Sequence, residues 1–233
     1  MPSSLQPGFS APSCNPCLSL PSRCSRLIAL FFVLLVFLPE SGLGEENLQS
    51  VIGRMQSKRA VAIPYQETRY LSLMSEKWTG SGNFYALPPD TMIKAQSSPE
   101  KELMAIKGPD LYYFNQKTGQ KHHATVSEEA SLMAHISLFK SLMNGELEAL
   151  QQHYQFNFST RPAAWLVTLT PKKASESETG FQVIMQGIAG QSANKLELIM
   201  TDGDRIEYRL DTAHESPAIK LKIQQLVDLL GAQ

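Results

Sequence analysis

Cysteine is nearly absent from this chain. The three that occur, Cys14, Cys17 and Cys24, precede a single apolar run, and none follows it. Cys14-Asn15-Pro16-Cys17 has C-x-x-C spacing, but with no second pair and no βαβ context it supports neither a zinc ribbon nor a redox centre. An excess of charge is lacking too. Lys and Arg number 21 against 22 Asp and Glu, a formal net charge of -1. That leaves no basic face for phosphates and argues against nucleic acid as a partner. No apolar run reaches the ~20 residues that a membrane-spanning helix needs. G-x-S-x-G, H-E-x-x-H and Walker A patterns are all missing, so no catalytic signature is present and no cofactor is expected. His122-His123 sits on a predicted strand, where neighbours point to opposite faces, so metal binding is not expected there either.

What is present begins with an address. Arg23 and Arg26 precede an unbroken apolar run from Leu27 to Leu38, about a dozen residues, which suits the h-region of a secretory signal peptide. Pro39 breaks the run, and Gly42 and Gly44 suit the -3 and -1 positions of a cleavage site before Glu45. Residues 1–44 are therefore expected to be a cleaved leader, and 45–233 a single exported domain without cysteine. With no cysteine just after the apolar run, a lipid anchor there is excluded.

After Glu45 the pattern alternates between two periods. Leu48, Val51, Ile52 and Met55 recur at helical spacing. Period two then takes over in Ile63–Leu73, Trp78–Ala86, Thr91–Ser97, Glu100–Lys107, Leu111–Phe114 and a short strand near His122. Turn signals separate these strands, with no room for crossover helices, so an antiparallel meander is expected. A helical block over Glu128–Asn144 carries Leu132, His135, Ile136, Phe139, Leu142 and Met143 on one stripe, and a further helix follows to His153. Strands resume with Tyr154, Phe156 and Phe158 on one face, then Trp165, Val167 and Leu169. Asp202-Gly203 marks a hairpin before Arg205–Leu210. A last amphipathic helix carries Ile219, Ile223, Leu226, Val227 and Leu230.

The expected fold class is α+β: a curled antiparallel sheet of roughly ten strands, with helices over its concave apolar face. Either side chains or a ligand must fill that concavity. Glu67 and Arg69 share a strand face with Tyr65, so an inward-facing pair must be hydrogen-bonded or sit at the rim.

Several segments in their order resemble one family. They are Tyr65–Leu73, Gly80–Phe84, Pro88-Pro89-Asp90, and Pro99 before Leu103. Leu142-Met143-Asn144-Gly145-Glu146 before Leu150, Phe156, Trp165–Pro171 and Asp202-Gly203-Asp204 complete the series. Together they resemble the LolA-like outer-membrane lipoprotein carrier superfamily, and within it the LolA-related proteins. The resemblance implies an unclosed β-barrel whose helices form a lid over an apolar cavity. It also implies a periplasmic carrier that holds acyl chains of a lipoprotein or another lipid and passes them toward the outer membrane. An inner-membrane exporter and an outer-membrane acceptor would be its partners. Carriers of the main branch have a basic residue soon after the Pro turn that ties sheet to lid; here Lys94 stands in that region, without an arginine's fork.

The candidate lipid-binding residues are Tyr65, Trp78, Phe84, Met92, Leu103, Trp165, Val167 and Leu169 from the sheet, with Phe139 and Met143 from the lid. Two rivals share the fold. One is a non-catalytic envelope scaffolding or binding subunit with a filled core and an edge strand free to pair. The other is a periplasmic hydrolase, which would need a Ser or His with a carboxylate inside a pocket.

Overall fold

A computed structural model describes residues 46–125, 138–172 and 181–231. The strands are β1 (Val61–Tyr70), β2 (Trp78–Leu87), β3 (Thr91–Ser98), β4 (Glu102–Lys107), β5 (Asp110–Asn115), β6 (Lys121–Thr125), β7 (Tyr154–Arg161), β8 (Ala164–Pro171), β9 (Phe181–Ile188), β10 (Ala193–Met200), β11 (Arg205–Leu210) and β12 (His214–Glu215). The helices are α1 (Leu48–Met55), α2 (helical residues 138–144), α3 (Leu147–His153) and α4 (Pro217–Leu230).

The strands make one open, 12-stranded antiparallel sheet in the order β6-β5-β4-β3-β2-β1-β11-β10-β9-β8-β7, with the short β12 also pairing β1. Two meanders are therefore joined through β1 and β11. Tyr65, Glu67 and Arg69 lie opposite Leu210, Tyr208 and Ile206. The edges, β6 and β7, are consecutive strands in sequence yet stand at opposite ends of the order.

Local chemistry explains the helix ends. Asn47 accepts from the Ser50 amide at 2.8 Å while the Ser50 hydroxyl receives the Asn47 amide, a reciprocal cap for α1. Pro217 opens α4 with its fixed φ, and Gly231 closes it at φ 77, where a side chain would be strained. The Asp202-Gly203 turn forms as expected, with Gly203 at φ 91 and the Met200 amide donating to the Asp204 carbonyl.

Each face of the sheet buries its own core. On one face Tyr65, Trp165, Val167, Leu169, Val183, Met185, Leu196, Leu198 and Tyr208 pack under Val51 and Ile52 of α1, Leu138 and Leu142 of α2, and Leu147 and Leu150 of α3. On the other, Ile93, Leu103 and Ala105 pack under Ile223, Leu226, Val227 and Leu230 of α4. The pleat dictates this division, because alternate residues of every strand go to opposite faces. The apolar stripe of α4 is the one expected. Residues 128–137 of the expected helical block, including Leu132, His135 and Ile136, lie outside the described residues.

Candidate functional site

The face under α1, α2 and α3 holds most of the residues singled out above. On β8, Trp165, Val167 and Leu169 are almost wholly buried, and the Trp165 indole N–H donates to the Gln191 carbonyl at 3.1 Å. Tyr65 meets Phe84 at 4.5 Å between ring centroids and Tyr208 at 5.7 Å. Phe84 and Tyr208 close the triangle at 5.4 Å. Phe139 of α2 is half-buried against the same cluster. Trp78 lies on the same face at the start of β2, its ring under the Arg69 guanidinium at 4.3 Å. Met92 and Met143 both border a small cleft beside the Pro88-Pro89-Asp90 turn.

Leu103 is the exception. Its partner across the ladder is Ala95, and Lys94 pairs with Met104 instead. Leu103 therefore points to the opposite face and is buried under α4. The β3–β4 ladder is continuous from Thr91–Lys107 to Gln96–Glu102, and a one-residue step in that hairpin's register would exchange the two faces of β4. Hairpin spacing alone does not reveal such a step.

At the centre of the helix-covered face sits a charge. The Glu67 carboxylate is fully buried and accepts from Lys94 Nζ at 2.5 Å and Arg69 Nε at 2.6 Å. The pair expected to need partners thus has them. Lys94 also reaches the Tyr208 hydroxyl at 3.3 Å and lies over the Tyr65 and Tyr208 rings at 5.5 and 5.3 Å. Its hydrogen bonds run to the sheet residues Glu67 and Tyr208. Burial lowers the Lys94 ammonium below its ordinary pKa, against the pull of Glu67. Burial first, and Glu67 second, push both the Tyr65 and the Tyr208 phenols up. The Tyr65 hydroxyl is buried and finds no hydrogen-bond partner. Lys94 and Tyr208 were absent from the candidate residues. Their signal was a lysine and a tyrosine each placed among apolar residues of an alternating strand.

The cleft bordered by Met92, Met143, Ala86 and Pro88 encloses about 10 Å³, room for one water at most. A larger opening lies at the β7 edge, a groove of about 870 Å³ that Leu48, Tyr154, Phe156 and Phe158 line together with Lys172. His122 and His123 pair with Tyr113 and Tyr112, on opposite faces. His123 does meet a carboxylate, Asp110 at 3.0 Å, across an exposed hairpin. Among the described residues, no group of three or more His, Cys, Asp or Glu could hold a metal ion. Nor is any described helix long and apolar enough to cross a membrane.

The family model described as "Outer membrane lipoprotein carrier protein LolA-like" matches residues 45–227. No curated protein matches the sequence. Solved structures are similar at low identity. A LolA superfamily protein from Nitrosomonas europaea is 12% identical over 73% of this chain and 93% of that one, with a TM-score of 0.39. A putative outer membrane lipoprotein-sorting protein domain from Vibrio parahaemolyticus is 9% identical over 74% and 94%, at 0.38. The MucA/MucB complex of Pseudomonas aeruginosa matches at 10% identity over 76% of this chain and 59% of that one, at 0.40. The chain belongs to the LolA-like family, on the strength of the family model.

Proposed function

We propose that this LolA-like protein is a non-catalytic binding or scaffolding subunit of the cell envelope, with its sheet face filled by its own side chains. One observation carries the reading. Among the described residues, buried side chains of α1, α2 and α3 pack on this sheet face, and the adjoining cleft measures about 10 Å³, against the ~300–1,000 Å³ of ordinary ligand sites. The buried Glu67–Lys94 pair also suits a permanent core. An ion pair at the centre of the face would stand among the methylenes of any acyl chain laid there. Residues 1–44 serve as the export leader in this reading, and 45–233 as one periplasmic domain. The order of the sequence markers supports a place among the LolA-related members of the family.

A second reading is favoured by the family match itself. In it α1 and α2 move off the sheet, and Tyr65, Phe84, Trp165, Val167 and Leu169, with Phe139, Met92, Met143 and Trp78 around them, receive acyl chains of a lipoprotein or another lipid. Each buried methylene would contribute ~0.8 kcal/mol. An inner-membrane exporter would load the protein and an outer-membrane acceptor would unload it. Native mass spectrometry of the protein purified from the envelope fraction separates the two readings. The subunit is expected lipid-free; the carrier would hold lipid at a defined stoichiometry.

A further inference from the structure

We propose that the tip of the β1–β2 hairpin docks this protein onto a phospholipid bilayer, with Leu73 and Met74 entering the acyl region and the strand ends below them meeting the headgroups. The inference goes beyond the role proposed above and holds whether the sheet face is filled or receives a ligand.

The tip is residues 71–77, between Tyr70 and Trp78. Its sequence, Leu71-Ser72-Leu73-Met74-Ser75-Glu76-Lys77, puts apolar residues where a hairpin connection ordinarily carries turn formers. Leu73 is 98% exposed and Met74 54%. A single exposed apolar residue is ordinary, but two neighbours at the end of a loop gain by leaving water together. They are also held in place. The Met74 amide donates to the Leu71 carbonyl at 2.9 Å, closing a turn over Ser72 and Leu73. The Ser72 amide donates to the Asp204 carboxylate at 2.7 Å, which ties the loop to the β10–β11 turn. Asp202 in turn accepts from the Asp204 amide at 3.0 Å. A docking element ordered beforehand loses less entropy on binding.

Below the tip lies a girdle of rings and cations. Arg69 and Trp78 face each other across the β1–β2 ladder, the guanidinium 4.3 Å from the ring centroid. Tyr70 and Arg205 do the same across the β1–β11 ladder, at 4.0 Å. Arg69 and Tyr70 are consecutive, so the two pairs stand on opposite faces of the sheet. Both rings are half-buried, and Lys77 is exposed next to Trp78. Trp and Tyr beside Arg and Lys are the side chains that settle at a membrane–water boundary, with the ring toward the acyl chains and the charge toward phosphate. The order along the hairpin is that of the boundary: aliphatic at the end, aromatic and cationic one step back.

Size and charge select a bilayer over a protein. A specific protein interface takes about 800 Å² from each partner. Two apolar side chains on a loop bounded by Ser72, Ser75 and Glu76 supply only a fraction of that, whereas a bilayer needs no matching shape. Glu76, Asp202 and Asp204 offset Arg69, Lys77 and Arg205. Attachment therefore rests on the apolar tip and not on net charge, and salt should weaken it little.

The probe is unilamellar vesicles of phosphatidylcholine, alone and with phosphatidylglycerol added. The full mature chain is expected to sediment with both to a similar extent. Bromine on the lipid acyl chains should quench Trp78 emission, while Trp165, buried under the helices, keeps its own. Leu73→Ser with Met74→Ser should bind at least about tenfold more weakly, with an unchanged thermal melt because both side chains are exposed. Leu73→Ile with Met74→Leu should bind as the native chain does. Failure of the native chain to sediment with vesicles at about 1 mM lipid overturns the proposal, as does binding that the double serine variant retains. Binding confined to phosphatidylglycerol vesicles and abolished by salt overturns it in favour of attachment by charge. A native chain that ignores vesicles but forms a dimer lost in the double serine variant overturns it in favour of a second copy.

Discussion

The most informative single residue is Tyr65. Its hydroxyl is buried without a partner while its ring packs between Phe84 and Tyr208. An unsatisfied buried hydroxyl costs about 1–3 kcal/mol, and removing it leaves the ring contacts intact. Tyr65→Phe is therefore expected to raise stability by about 1 kcal/mol in urea titrations; a loss of similar size would mean that the hydroxyl is bonded after all. The cluster around Glu67 also sets a pH dependence. The Tyr65 and Tyr208 phenols titrate above their ordinary value in the folded protein, burial being the first cause. Above pH ~10 the unfolded chain loses those protons while the folded chain keeps them, so stability falls as pH rises. Lys94 acts oppositely. Its folded pKa is lowered by burial, so the unfolded chain binds more protons below pH ~10.4 and stability rises with pH there. Replacing both phenols, Tyr65→Phe with Tyr208→Phe, should remove much of the alkaline loss seen by chemical denaturation between about pH 10 and 11. An unchanged alkaline slope would place the titrating groups elsewhere.

At the scale of elements, the question is whether the helices over the sheet are core or lid. Leu142 of α2 is as buried as Leu103, at 2% exposure each, although α2 covers one face and α4 the other. Leu142→Ala should cost ~2–5 kcal/mol, in the range of a core deletion, and Trp165→Ala ~3–5 kcal/mol. Phe139→Ala should cost only about 1–2 kcal/mol, because its ring is half-buried. All three should melt in one transition. A separate early transition for Leu142→Ala would mark the helices as a detachable lid.

The strands and their hairpins were legible because period two and turn residues are local signals, as Phe156-Asn157-Phe158 and Asp202-Gly203 show. The pairing of buried Glu67 with Arg69 was legible for the same reason, through its two-residue spacing. Leu103 was not, since its face follows only from the residue-by-residue register of the β3–β4 hairpin. Nor was the joining of β1 to β11, a pairing of residues such as Glu67 and Tyr208 that are far apart in sequence. Lys94 was noted for its charge, but that it would lie beside Glu67 follows only once β1, β2 and β3 are in register.

For the whole molecule, two properties remain joined: where it resides and what it holds. The proposed leader predicts that protein from the envelope fraction begins near Glu45 and contains no thiol. N-terminal sequencing with a thiol assay checks this, and recovery of Cys14 or Cys17 in the soluble protein would refute the leader. The membership in the LolA-like family sets the second property in tension with the filled-core proposal, since the family description names a carrier while the described side chains of this face pack around Glu67, Lys94 and Tyr208. Native mass spectrometry of the mature chain, purified from envelopes without detergent, decides between them. A filled core predicts the mass of the bare polypeptide from residue 45 onward. A stoichiometric adduct of acylated lipid, lost on delipidation and regained on exposure to lipid, would contradict it.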